Sequence, residues 1–107
     1  MFRLVLSAAV AVAFVSPVQA NEKLKETCIA TTKIVQVAAT LRQGGSKSKN
    51  VKRSLTEGVN KVEDKYVVTV GPLVDWVYSV DGNIVQQPGG PKAVANRYRE
   101  DCFAYKP

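Results

Sequence analysis

Between Glu22 and Gln43 the apolar positions return at the spacing of a helix. Leu24, Cys28, Thr31, Ile34, Val35, Ala38 and Leu41 fall on one face at a period of 3.6 residues, and Lys25, Glu26, Lys33 and Gln36 fall opposite. Gly44-Gly45 then ends the run in the way a glycine just past a helix does. After a polar stretch, in which Ser48 or Asn50 is a candidate cap, Val51, Leu55, Val59 and Val62 make a shorter stripe on a second predicted helix. Gly58 inside it costs about 1 kcal/mol relative to alanine. Pro91 is placed to open a last helix, on which Val94, Tyr98, Cys102 and Tyr105 share a face.

The stretch 66–80, YVVTVGPLVDWVYSV, carries both periods. As a helix it lines up Val67, Val70, Leu73, Val74, Val77 and Tyr78, with Gly82 just past its end, and a helix beginning near Pro72, with the proline at its first position, reconciles most of the signals. As a strand it alternates Val74, Trp76, Tyr78 and Val80, and Asp81-Gly82 becomes a hairpin turn. The valine content favours the strand, while Pro72 is awkward in any central strand. The helix accounts for more of the stretch. The fold class expected is therefore all-α, a small four-helix domain. The alternative is α+β, with a hairpin at about 66–86.

The first twenty residues have a different character. Arg3 precedes an apolar run from Leu4 to about Val15, and Val18-Gln19-Ala20 supplies small residues at a cleavage site. That order of parts is a secretory signal peptide, and the run is short of the roughly 20 apolar residues a bilayer span needs. Residues 1–20 are thus expected to be removed, leaving 21–107 as a single exported domain with no stable membrane anchor, periplasmic or secreted. So small a domain buries too little surface to be secure on its core alone. Its two cysteines, Cys28 and Cys102, are expected to form one disulfide joining first and last helices in an oxidising compartment. The chain-entropy account gives closure of a loop of about 75 residues a value of about 4.5 kcal/mol.

Charge adds one candidate site. The whole chain carries 15 Lys and Arg against 9 Asp and Glu, a net +6, and loss of Arg3 lowers this by one. Five of the cations, Arg42, Lys47, Lys49, Lys52 and Arg53, fall in LRQGGSKSKNVKR, residues 41–53. The spacing of its glycines is not that of a phosphate-binding loop, and a helix precedes where a strand is required. Ser46-x-x-Lys49 lacks the S-D-N and K-T-G partners of serine acyl-enzymes. What remains is a basic patch suited to an acidic protein surface or an anionic envelope polymer. The other reading is a solvated linker. Nucleic acid is not an expected partner, because no aromatic side chain lies in or beside the patch to stack on bases.

Several chemistries lack their residues. There is no histidine, the commonest general base and neutral metal ligand. There is no C-x-x-C, and no metal or cofactor is expected. Glu63-Asp64 and Glu100-Asp101 are adjacent pairs, which do not share a helix face. A long-range pair such as Asp75 with Glu100 stays open. Trp76 and Tyr78 are candidate interface aromatics, with a place in the core as the alternative.

The chain resembles a group of small, mostly uncharacterised exported bacterial and phage proteins whose mature part is a two-cysteine helical domain. The likeness rests on Cys28, the Ala38-x-x-x-Arg42-Gln43-x-Gly45 run, Leu73-Val74-x-x-Val77-Tyr78, and Cys102 in the last helix. It implies a periplasmic location and a helical fold, and no catalytic residues. In general plan alone the chain is also similar to the HdeA-type acid chaperones. The function expected is therefore a non-enzymatic interaction protein, such as an inhibitor or immunity-type binder of an envelope protein. The alternatives are a periplasmic stress chaperone and a binder of anionic envelope polymers.

Overall fold

The computed structural model describes residues 3–105, with side chains from Glu22 onward. Five helices follow one another: α1 (Arg3–Gln43), α2 (Ser48–Glu57), α3 (Val67–Ser79), α4 (Gly82–Gln86) and α5 (Gly90–Ala104), with a 3-10 turn at Asp64–Tyr66 leading into α3. No strand occurs among the described residues. The domain is all-α, with four substantial helices and one short one. Residues 1–20, read as an export signal, lie outside the described side chains. Among the described residues no helix is long and apolar enough to cross a membrane.

α1 is the spine. Cys28, Ile34, Val35, Ala38 and Ala39 are buried along it. The last four of these meet Val51 and Leu55 of α2, Val70, Val74 and Val77 of α3, Val85 of α4, and Val94 and Ala95 of α5 in one cluster. The helix stops at the predicted glycines for a backbone reason. Gly45 takes a positive φ of 98°. Its N–H then donates to Arg42 O at 2.9 Å, while the Ser46 N–H donates to Leu41 O at 3.0 Å. This paired closure satisfies carbonyls that the helix leaves free, and a Cβ disfavours that conformation.

Several local expectations need correction. Neither Ser48 nor Asn50 caps α2: Lys47 holds the cap position, with no side-chain cap bond. The α2 stripe also stops early. Gly58 terminates the helix, its N–H bonded to Ser54 O, so Val59 stands 94% exposed and Val62 is only partly buried against the core. The hairpin alternative fails as well. Residues 67–79 are helical, and Asp81 Oδ1 accepts from the Asn83 N–H at 2.9 Å to cap α4 instead of turning a strand.

α3 also begins a turn earlier than expected, so that Pro72 lies inside it. A proline crowds the Cβ of the residue before it when that residue is helical. Gly71 has no Cβ, which eases the helix past this point. Val70, Val74 and Val77 are then buried on one face.

The disulfide joins α1 to α5: Cys28 and Cys102 are bonded, with Cα atoms 5.7 Å apart. Beside it the Tyr98 hydroxyl donates to Thr31 Oγ1 at 2.9 Å, and Thr31 Oγ1 in turn donates to Thr27 O at 2.8 Å. Tyr105, expected on the α5 face, lies past the helix end and is exposed.

Candidate functional site

The five cations of residues 41–53 do not form one patch. Arg42 turns inward. Its Nη1 donates to Val77 O and Val80 O, both at 2.8 Å, and its guanidinium stands 5.3 Å from the centroid of the Tyr78 ring. The final carbonyls of a helix have no partner within it and form the negative end of its dipole, so a cation placed there is held strongly. Gln43, the next residue, donates to Val85 O and Gln87 O, both at 3.0 Å. The last turn of α1 thus ties down the ends of α3 and α4.

Lys52 is also spoken for. Its Nζ lies 2.7 Å from Asp75 Oδ1 on α3. This answers the open question about Asp75, whose partner is a cation and not Glu100. Lys47, Lys49 and Arg53 remain. All three are exposed, and among the described residues none makes an ion pair. Lys47 and Lys49 sit where the 44–47 turn enters α2, whose N-terminal amides have no side-chain cap, and Arg53 follows Lys49 one helical turn on. The exposed Lys61–Asp64 and Lys65–Glu26 pairs stand in contrast. There the Lys61 ammonium lowers the Asp64 carboxyl below its ordinary value, and bonding to Glu26 raises the Lys65 ammonium.

The two aromatic candidates are partly buried and make contacts within the domain. Trp76 is half-buried against the core, its ring centroid 5.8 Å from that of Tyr98 at an interplanar angle of 60°. Tyr78 donates its hydroxyl to Ser46 O and so fixes the turn to α3. Burial raises its phenol above the ordinary value, and the nearby Arg42 charge partly offsets this. Among the described residues no three His, Cys, Asp or Glu side chains converge to hold a metal ion.

No known family model, curated protein or solved structure matches this chain. The roles of its residues rest on geometry and chemistry.

That geometry separates stability from recognition. Replacing Arg42 with methionine leaves two carbonyls without their charged donor and is expected to cost about 2–3 kcal/mol. Alanine at Lys47, Lys49 or Arg53 is expected to change stability by no more than about 0.5 kcal/mol. Urea unfolding of the four variants checks both statements, and equal losses at Arg42 and Lys47 would refute the division. Sequence reasoning missed Gln43 and the Asp75 partnership because both contacts join residues far apart in the chain. The hint that was available is that Arg42 and Gln43 close an apolar helix, where orphan carbonyls of a packed neighbour are near.

Proposed function

We propose that this chain is an exported, non-enzymatic interaction protein that binds an acidic surface of an envelope protein, as an inhibitor or immunity-type partner does. The observation that carries the reading is the corner of Lys47, Lys49 and Arg53, exposed and free of ion pairs among the described residues. The neighbouring Arg42 and Lys52 are engaged internally and hold that corner in place. Charges of one sign on a rigid turn raise the rate of encounter with a complementary surface and discriminate against basic ones. A periplasmic setting fits the disulfide, which persists in oxidising compartments. The absence of histidine from the sequence supports a role in binding over acid–base catalysis.

The test is capture from periplasmic extract by the immobilised protein and by a variant reversed at the corner (Lys47→Glu, Lys49→Glu, Arg53→Glu). The native protein is expected to retain a discrete protein at low salt and to release it as salt rises, because screening at about 0.15 M ionic strength already acts beyond roughly 8 Å. The reversed variant is expected to retain none. Undiminished capture by that variant removes the corner from the reading. Retention of an anionic polymer in place of a protein transfers the site to that ligand.

A further inference from the structure

The two sulfurs of the disulfide belong to residues in unequal surroundings. Cys28 is 0% exposed, whereas Cys102 is partly exposed. Along residues 96–104 of α5 every residue is exposed except Tyr98 and Cys102. Tyr98 is tied to Thr31 by its hydroxyl and packs against the apolar cluster. None of residues 99–104 belongs to that cluster or packs against it. The Arg99 guanidinium stands 5.7 Å from the centroid of the Phe103 ring, a contact within α5 itself. Among the described residues no ion pair involves α5. Cys28, although buried, also lies outside the cluster that joins the five helices. The bond to Cys102 places the end of α5 over it.

This asymmetry bears on how the bond can be opened. A disulfide exchanges when a thiolate attacks one sulfur and displaces the other, and the outcome depends on which sulfur can be reached. The approach is in line with the bond, from the side away from the leaving sulfur. For Cys102 that side faces out of the end of α5, where the residue meets solvent. For Cys28 it faces α1, where the residue has no exposed surface. Attack at Cys102 makes Cys28 the leaving sulfur, and its negative charge is poorly solvated while it stays covered. Departure thus goes with lifting of the last turn and a half of α5. That movement leaves the cluster intact, and local openings of this kind need far less free energy than global unfolding.

We propose that the disulfide is opened and closed through Cys102, the site at which external thiols form mixed disulfides, with Cys28 as the sheltered sulfur that leaves and returns. In opening, the external thiolate sulfur bonds to Cys102 Sγ and the Cys28–Cys102 bond breaks. Its electron pair leaves on Cys28 Sγ, which takes a proton from water. In closing, Cys28 gives that proton back to water, attacks Cys102 Sγ and expels the external thiolate. Residues 99–104 are the segment that moves. The chemical class of partner is a thiol or dithiol, small or carried by a protein, and its point of attachment is Cys102.

Reduced glutathione, added to the full disulfide-bonded protein and quenched with acid at early times, tests it. Peptide mapping by mass spectrometry then reads which cysteine carries the glutathione. The mixed disulfide is expected on Cys102, with Cys28 free, in excess of the reverse arrangement by about tenfold or more. The rate of its formation is expected to stay nearly flat up to about 1 M urea, because lifting the end of α5 exposes little surface. Glutathione on Cys28, or on both cysteines equally, overturns the proposal. A rate that climbs with urea as steeply as global unfolding overturns it too, since the bond would then open only in the unfolded chain. So does the absence of any mixed disulfide at a glutathione concentration that opens the same bond in the urea-unfolded protein.

Discussion

Replacing both Cys28 and Cys102 with serine is expected to lower stability by about 4–5 kcal/mol, a large part of what a small domain possesses. Most of the loss comes from the unfolded chain, which the bond constrains across a separation of 74 residues. The rest is local to α5. Its buried residues are Gly90, Pro91, Val94 and Ala95, all in its first half. Beyond them, among the described side chains, Tyr98, bonded to Thr31 with its ring tilted against that of Trp76, and Cys102 itself hold the helix to α1. Phe103 and Tyr105 are exposed.

The damage should therefore be graded along the molecule. Arg42 lies fourteen residues from Cys28 on α1, about 21 Å along the helix axis, and its contacts to the end of α3 do not depend on the bond. Amide exchange in the double variant is expected to quicken first at residues 96–104, while the amides of α3 keep the protection of whatever global stability remains. Urea unfolding checks the total. A loss below about 1 kcal/mol would show that apolar contacts alone secure α5. Uniform acceleration across all helices would show that no local role exists beyond the constraint on the unfolded chain.

How much of this was legible depended on whether a signal was local. The end of α1 could be read because Gly44-Gly45 and the helix they terminate are adjacent in sequence. The cysteine pairing followed from count and compartment. The start of α3 was misplaced because Pro72 is a strong local mark for a helix beginning, and its tolerance inside the helix depends on Gly71 before it and on a face buried by α1 and α2. Asp81-Gly82 has the composition of a hairpin turn, and what decided against a hairpin is the burial of Val85 beneath α5. Arg42 and Lys52 looked like members of a patch because the atoms that engage them lie far along the chain: Val77 is 35 residues beyond Arg42. Charge runs are visible in a sequence, whereas the pairing that cancels their members is a property of the fold.

Gly90→Ala is expected to be the costliest small substitution in the domain. Gly90 is buried at the first turn of α5, directly after Gly89, which takes a positive φ of 78°. A Cβ at position 90 would stand 2.3 Å from Val85 O and 2.4 Å from Ile84 O. Both obstacles are backbone, so no rotamer change relieves them, and α4 must move away from α5. That movement is resisted because Val85 O also accepts the Gln43 side chain and the Val85 side chain is fully buried. Overpacking of this kind costs about 3 kcal/mol, or a fall in Tm of roughly 12–24 °C for a domain of this size.

Gly45→Ala separates close approach from conformational freedom. Gly45 has the more unusual backbone, but nothing lies within 4 Å of a Cβ placed there, so its cost is limited to the left-handed conformation, about 1–2 kcal/mol. Thermal unfolding followed by circular dichroism is expected to rank Gly90→Ala well below Gly45→Ala. The reverse order would mean that α4 yields easily, and Gln43 would then have no part in fixing it to α1.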